Sequence, residues 1–194
     1  MAATKIKRTG FGQVEPNHLS AQRTAQIYAQ LPAADDIDIL ENGQYVKYDY
    51  ANGVVNFTGV GEWMMVFNEV KLYDDRWRES YKDFAMIKEN YTPGSDITHE
   101  GIGPFKGQMT PRVIKTNVGD IYTTNAIGEG NTSGKKEYAG IDLDVNDMLV
   151  VNATNGFLNK ATASDVTSAD MVWQVVKVYT MPDGQPAVKV MRIK

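Results

Sequence analysis

Reactive chemistry in this chain has two histidines, 24 carboxylates and a set of aromatic rings to draw on, and no cysteine. Without thiols, disulfides, thiolate metal sites and cysteine nucleophiles are excluded. His18 and His99 lie far apart, each in a loop-like stretch, and no HExxH pairs them. Two surface imidazoles describe them better than a metal centre, so no metal ligand is expected. Asp142, Asp144 and Asn146 match the first, third and fifth positions of an EF-hand loop. The sixth, which wants glycine for the sharp turn, is Asp147; the twelfth, which wants a bidentate Glu, is Ala153. These acids read as a turn ahead of the apolar run Met148–Val151.

Residues 128–136 (GEGNTSGKK) resemble a phosphate-binding loop only on the surface. A Walker loop needs glycine where Glu129 stands and Ser or Thr where Lys136 stands. Gly59-Val60-Gly61 lacks the third glycine of a dinucleotide fingerprint, and no GxSxG marks a serine nucleophile. No cofactor and no catalysis are therefore expected, although a carboxylate pair stays open because sequence gives no distances. Tyr45, Tyr48, Tyr50, Trp63, Trp77 and Tyr81 offer either sheet packing or a stacking face for sugars or bases.

The elements that must carry these groups read mostly as short strands. Residues 44–57 alternate around Asn52-Gly53 and predict a hairpin, since Asn-Gly suits the positive φ of a type I′ turn. Residues 62–73 read as one strand or two. Strands return at 112–115, 120–125 and 148–152, with a turn at Asn155-Gly156 and a partner at 157–160. A second hairpin pairs 172–179 with 187–193 across Pro182-Asp183-Gly184. Strict alternation there puts Trp173, Val175, Lys177 and Tyr179 on one face, with Val172, Gln174, Val176 and Val178 opposite. Residues 19–31 are ambiguous between helix and strand, and 75–87 read as a helix with strand as the alternative. Residues 90–111 and 126–140 read as long Gly/Pro-rich and Gly-rich loops, of the kind that serve a function or a partner.

The predicted fold is thus mainly β: a small β-barrel or β-sandwich with an extended N-terminal arm and at most one or two short helices. Residues 1–31 read as the arm and 32–194 as the β domain, either undivided or as two subdomains, 32–89 and 112–194, joined by loop 90–111. Composition agrees, since 42% hydrophobic and 23% charged residues suit a packed domain of this length. No apolar run approaches the roughly 18 residues of a membrane helix. The opening MAATKIKRTG has no apolar stretch behind it, so a secretory signal is not expected. The net charge of −4 is unevenly spread, with residues 1–30 at +3 and residues 31–109 at −7. Lys5, Lys7, Arg8 and Arg23 make the arm basic and suit it to an acidic surface. Four bases make few phosphate contacts, so no nucleic-acid partner is expected.

Three stretches resemble the small decoration, or cement, proteins of tailed-bacteriophage heads. They are residues 39–50 (ILENGQYVKYDY), 110–125 (TPRVIKTNVGDIYTTN) and 145–158, with VNDMLVV and TNGFL. In such proteins a Gly-Asp turn feeds a strand and a Thr-Gly-x-Leu pattern closes a hairpin; here Asn146-Asp147 stands where Gly-Asp is usual. The resemblance implies a non-enzymatic virion protein that binds the major capsid protein from outside and stabilises subunit contacts. It implies a location on the capsid surface after synthesis in the host cytoplasm, and a homo-oligomer, with a trimer expected. Lys5, Lys7, Arg8, Phe11, Arg23, Tyr28 and Phe105 would meet the capsid. The alternative is a carbohydrate- or receptor-binding module of a head fibre, resting on the aromatic set.

Overall fold

The computed structural model describes residues 3–21, 27–68, 85–88, 104–105, 109–128 and 140–194. The fold is mainly β, as the alternating patterns require. In chain order the first strands are β1 (Thr4–Ile6), β2 (Val14–His18), β3 (Ile27–Tyr28), β4 (Ile39–Glu41), β5 (Tyr45–Asp49), β6 (Val54–Asn56), β7 (Met64–Val66), β8 (Ala85–Lys88) and β9 (Pro104–Phe105). They are followed by β10 (Val113–Ile114), β11 (Ile121–Thr124), β12 (Ile141–Leu143), β13 (Met148–Val151), β14 (Leu158–Lys160), β15 (Val172–Thr180) and β16 (Pro186–Arg192). A six-residue helix, α1 (Ala163–Ser168), which the sequence reading does not assign, is closed at its start by a reciprocal bond pair between Thr162 and Asp165.

Two larger sheets share the main core. One runs β3-β10-β7-β5-β6 and the other β14-β13-β15-β16-β11-β2. Tyr45, Met65 and Ile114 of the first meet Tyr122, Leu149, Trp173, Val188 and Val190 of the second. The five-stranded sheet buries its other face as well, through Val46, Tyr48, Met64, Val66 and Val113, beneath Ile37 and Leu40. That double burial explains why β7 and its flanks read as an unbroken apolar run rather than an alternating one. Smaller sheets pair β1 with β12, and β4 with β8 and β9. The five-stranded sheet draws β3 from the expected arm, β5 to β7 from 32–89 and β10 from 112–194. This sheet therefore takes strands from either side of the expected boundaries.

Local turn chemistry accounts for the hairpins. Asp49 pairs with Val54, so the first loop is four residues long, and Gly53 alone takes positive φ. The expected type I′ turn needs positive φ at both central residues, which is why it is not formed. The Asp49 carboxylate accepts from the Asn52 backbone and side chain and from Asn56, and these bonds hold it below its ordinary pKa. Asn146 has φ +76°, the left-handed conformation that favours glycine. Asparagine is among the few other residues that tolerate it.

In the C-terminal hairpin, a bulge falls between Val175 and Lys177, so Val178 pairs with the core residue Val188. One extra residue reverses the alternation. Val178 therefore shares the face of Trp173 and Val175, opposite to the expected arrangement. Residues 19–31 contain both expected forms, with helical backbone at Ser20 and Ala21 and strand at Ile27–Tyr28. The helix expected over 75–87 lies outside the described residues as far as 84. Its end is strand, since Ala85, Met86 and Ile87 pair with Glu41, Leu40 and Ile39. Most of the two expected loops, 90–111 and 126–140, lies outside the described residues.

A node of three rings joins the larger sheets. The hydroxyls of Tyr45 and Tyr122 are 2.8 Å apart, and the Trp173 ring stands edge-on to Tyr122 with centroids 4.9 Å apart. Burial first, then Tyr122, pushes the Tyr45 phenol well above its ordinary value of 10.0. Burial likewise raises Tyr122, with the Tyr45 bond opposing. Folding thus favours the neutral phenols, and this stabilisation is complete below the unfolded pKa. Urea midpoints should hold steady from neutrality to about pH 9 and fall above about pH 10, where unfolded tyrosines ionise. The double variant Tyr45→Phe/Tyr122→Phe should flatten that fall. Tyr45→Phe alone leaves one buried hydroxyl without its partner and should cost about 1–3 kcal/mol at pH 7.

Gly156 tests the packing from the other side. It has φ +72°, and a Cβ there would collide with the Tyr45 carbonyl oxygen and the Phe57 ring. Gly156→Ala should lower stability by about 1–3 kcal/mol, measured by urea titration.

Candidate functional site

The expected capsid-binding residues divide by burial. Lys5 and Lys7 are exposed, and Lys5 sits 3.9 Å from Asp142 on the paired strand β12. Arg8 and Phe11 are each 1% exposed. Two Arg8 contacts bind Glu41, with Nη2 lying 3.3 and 3.1 Å from its two carboxylate oxygens. The Arg8 guanidinium also lies 4.8 Å from the centre of the Phe157 ring. Glu41 further accepts the Gly12 backbone N–H at 2.6 Å. A Cβ at Gly12 would come within 2.5 Å of the Asn42 carbonyl oxygen and 2.8 Å of Ala126, so only glycine lets the chain approach this closely. Phe11 packs with Ile39, Ala85 and Ile87. The expectation that Arg8 and Phe11 lie on a neighbouring molecule is therefore corrected: both belong to the interior of this chain. Arg23 lies outside the described residues. Phe105 is placed by its backbone in β9, and its side chain also lies outside them.

Tyr28 leads to a different surface. The register Val46↔Met64, Val66↔Val113 and Val113↔Tyr28 puts these side chains on one face of the five-stranded sheet. Leu31, Ala33, Ala34 and Ile37 pack against part of that face. Where this cover ends, a cleft of about 240 Å³ opens, lined by Tyr28, Tyr48, Tyr50, Met64, Glu62 and Lys115, with Val60 and Gln30 at its margin. Tyr50 is 75% exposed and Val60 86%. The Tyr48 and Tyr50 rings meet edge to face, with centroids 5.5 Å apart. Burial, then the Tyr50 and Tyr28 phenols, raise the pKa of Tyr48, while the Gln30 backbone amide acts the other way. Tyr50 opens the tight loop that the Asp49 carboxylate ties together.

The cleft's charges are mutually committed. Glu62 Oε2 lies 3.3 Å from Lys115 Nζ, and Oε1 lies 2.7 Å from Arg192 Nη1. Arg192 is mostly buried, and its guanidinium also donates to the Thr116 carbonyl and to the Lys194 carbonyl. A locked arginine thus fixes Glu62, and Glu62 in turn fixes Lys115.

No family model, curated protein or solved structure matches this chain. Its site must be read from its own residues. Of the aromatic set, Tyr45 and Trp63 are spent inside the fold. Lys47 Nζ covers the Trp63 ring at 4.7 Å. Trp77, Tyr81 and His99 lie outside the described residues. The acids considered for calcium serve the turn and its neighbours: Asp147 accepts the Asp144 backbone N–H at 2.8 Å and pairs with Lys160 at 2.7 Å. Among the described residues, no group of three or more His, Asp or Glu is placed to hold a metal ion. Sequence reasoning missed Glu62, Lys115 and Val60. The parity of β5, β7 and β10 carried the signal, but it becomes readable only once the strand register is known.

The Arg8–Glu41 pair makes a direct prediction. Removing one member leaves a buried charge exposed to an apolar interior, so Arg8→Met should cost about 3–5 kcal/mol in urea unfolding. The double variant Arg8→Met/Glu41→Leu should recover much of that loss.

Proposed function

We propose that this chain is a non-enzymatic structural protein of a tailed-phage head, binding the outer face of the major capsid protein and bracing contacts between capsid subunits. The single observation that supports this reading most is convergence. The three stretches that resemble decoration proteins are far apart in sequence and meet at one residue. Tyr45, in the first, donates its backbone N–H to the Gly156 carbonyl in the third at 2.7 Å. Its hydroxyl bonds to Tyr122 in the second at 2.8 Å. Gln44 adds a side-chain bond to the Asn155 carbonyl at 2.9 Å. These contacts make the three stretches one packed unit, as the central strands of a decoration-protein scaffold would be.

On this reading the binding surface is preformed. Attachment then falls to the exposed Lys5 and Lys7 and to the rim around Tyr28, and little ordering entropy is lost on binding. The chain should co-sediment with DNA-free shells of the phage that encodes it, at a fixed ratio to coat subunits. Lys5→Glu/Lys7→Glu should weaken this attachment while leaving the urea midpoint within about 0.5 kcal/mol of the parent. Absence of co-sedimentation by a folded, well-behaved protein would overturn the proposal. Deleting residues 2–18 should unfold the domain, because it removes Arg8, Phe11 and two paired strands.

A further inference from the structure

We propose that the cleft between Tyr28, Tyr48 and Tyr50 binds a single neutral pyranose ring. The inference stands on the cleft alone and does not rest on the head-protein reading. Its size comes first. At about 240 Å³ the cleft is smaller than the roughly 300–1,000 Å³ typical of sites for drug-sized ligands, so it suits one ring. Its walls come second. Tyrosine rings carry a negative π face, which attracts the weakly positive C–H face of a pyranose. Tyr50 exposes such a ring, whereas Tyr48 is buried, hydroxyl included, and backs it edge to face. Tyr50 is three-quarters exposed, on a loop tied down by Asp49. A large aromatic surface held in place at a cleft loses little entropy when it stacks.

Charge decides the class of ligand. Glu62 is held between Lys115 and Arg192, and Arg192 lies outside the lining. An acidic ligand would have to compete with Glu62 for Lys115, and a cationic one would have to compete with Lys115 for Glu62. A neutral ligand needs only the hydrogen-bonding capacity left on these groups. Ring hydroxyls fit that arrangement. A proline-rich peptide also favours aromatic walls, but it needs an extended groove rather than a one-ring cleft.

The test is a titration of the full ¹⁵N-labelled chain with the methyl glycosides of glucose, galactose, mannose and N-acetylglucosamine, with a proline-rich decapeptide run in parallel. The expected result is saturable shifts of the Tyr50, Gly61 and Lys115 amides with at least one glycoside. A dissociation constant on the order of 1 mM is expected for so small a ligand. Tyr50→Ala should weaken binding about tenfold or more, whereas Tyr50→Phe, which keeps the ring, should stay within about threefold. Should Tyr50→Ala disturb the fold, Lys115→Met should weaken binding through the lost hydrogen bonds instead. The proposal is overturned if no glycoside shifts these amides at tens of millimolar, if the shifts lie elsewhere, if folded Tyr50→Ala binds as the parent does, or if only the peptide binds.

Discussion

The buried pair of Arg8 and Glu41 is the constraint on which the N-terminal third of this fold depends. Two opposite charges, each 1% exposed, are held in an interior that would reject either alone. Their attraction does not by itself make the fold more stable than an apolar equivalent, because both ions had to leave water. What it does is tie segments 33 residues apart to one carboxylate. Arg8 has to find Glu41, and the Gly12 amide has to find the same carboxylate. Once they have, the chain between them has one path, with Phe11 turned into the pocket of Ile39, Ala85 and Ile87. The same path delivers Val14 to His18 to the edge of the six-stranded sheet beside β11.

From that anchor the geometry propagates to the surface. Glu41 ends β4, and its backbone N–H donates to the Gln44 side chain at 2.6 Å. Gln44 reaches in turn to Asn155, beside the glycine that lets Tyr45 come close. Tyr45 then points into the Tyr122–Trp173 node while its neighbour Val46 points the other way. A two-residue period forces this division, and it gives the five-stranded sheet two buried faces. The second face runs out beyond Tyr48, and the cleft forms there because Leu31 to Ile37 cover only part of it. The cleft thus sits beside strands that are paired and packed on both faces.

How much of this was legible in the sequence follows from the range of each interaction. The hairpins around Gly53 and Gly184 were legible because a turn is decided by four or five adjacent residues. The mainly β class was legible for the same reason. The bulge beside Val176 was not, since an extra residue leaves no trace in an alternating run of Val, Gln, Lys and Tyr. The N-terminal segment was misread because charge counting assumes that arginine and lysine are solvated. That assumption held for Lys5 and Lys7 and failed for Arg8, whose partner lies 33 residues away. The aromatic set was legible as a set, but not its division. Trp63 and Tyr45 went to the core and Tyr50 to the surface, and only strand register separates those fates.

Sewing the N-terminus into the sheets changes the physics of any association this chain makes. A free basic arm would bind by folding onto its partner, losing backbone entropy for every residue ordered. Here residues 4–18 have lost that entropy already, within the chain itself. The contacts proposed for Lys5 and Lys7 would therefore start from strands already formed, and less of their free energy would be spent on ordering. The cost is adaptability, because a segment already paired in a sheet has to break that pairing before it can remodel onto a poorly matched surface. If the chain attaches to a capsid as proposed, shape complementarity at the contact would have to supply the selectivity that a flexible arm draws from folding onto its partner.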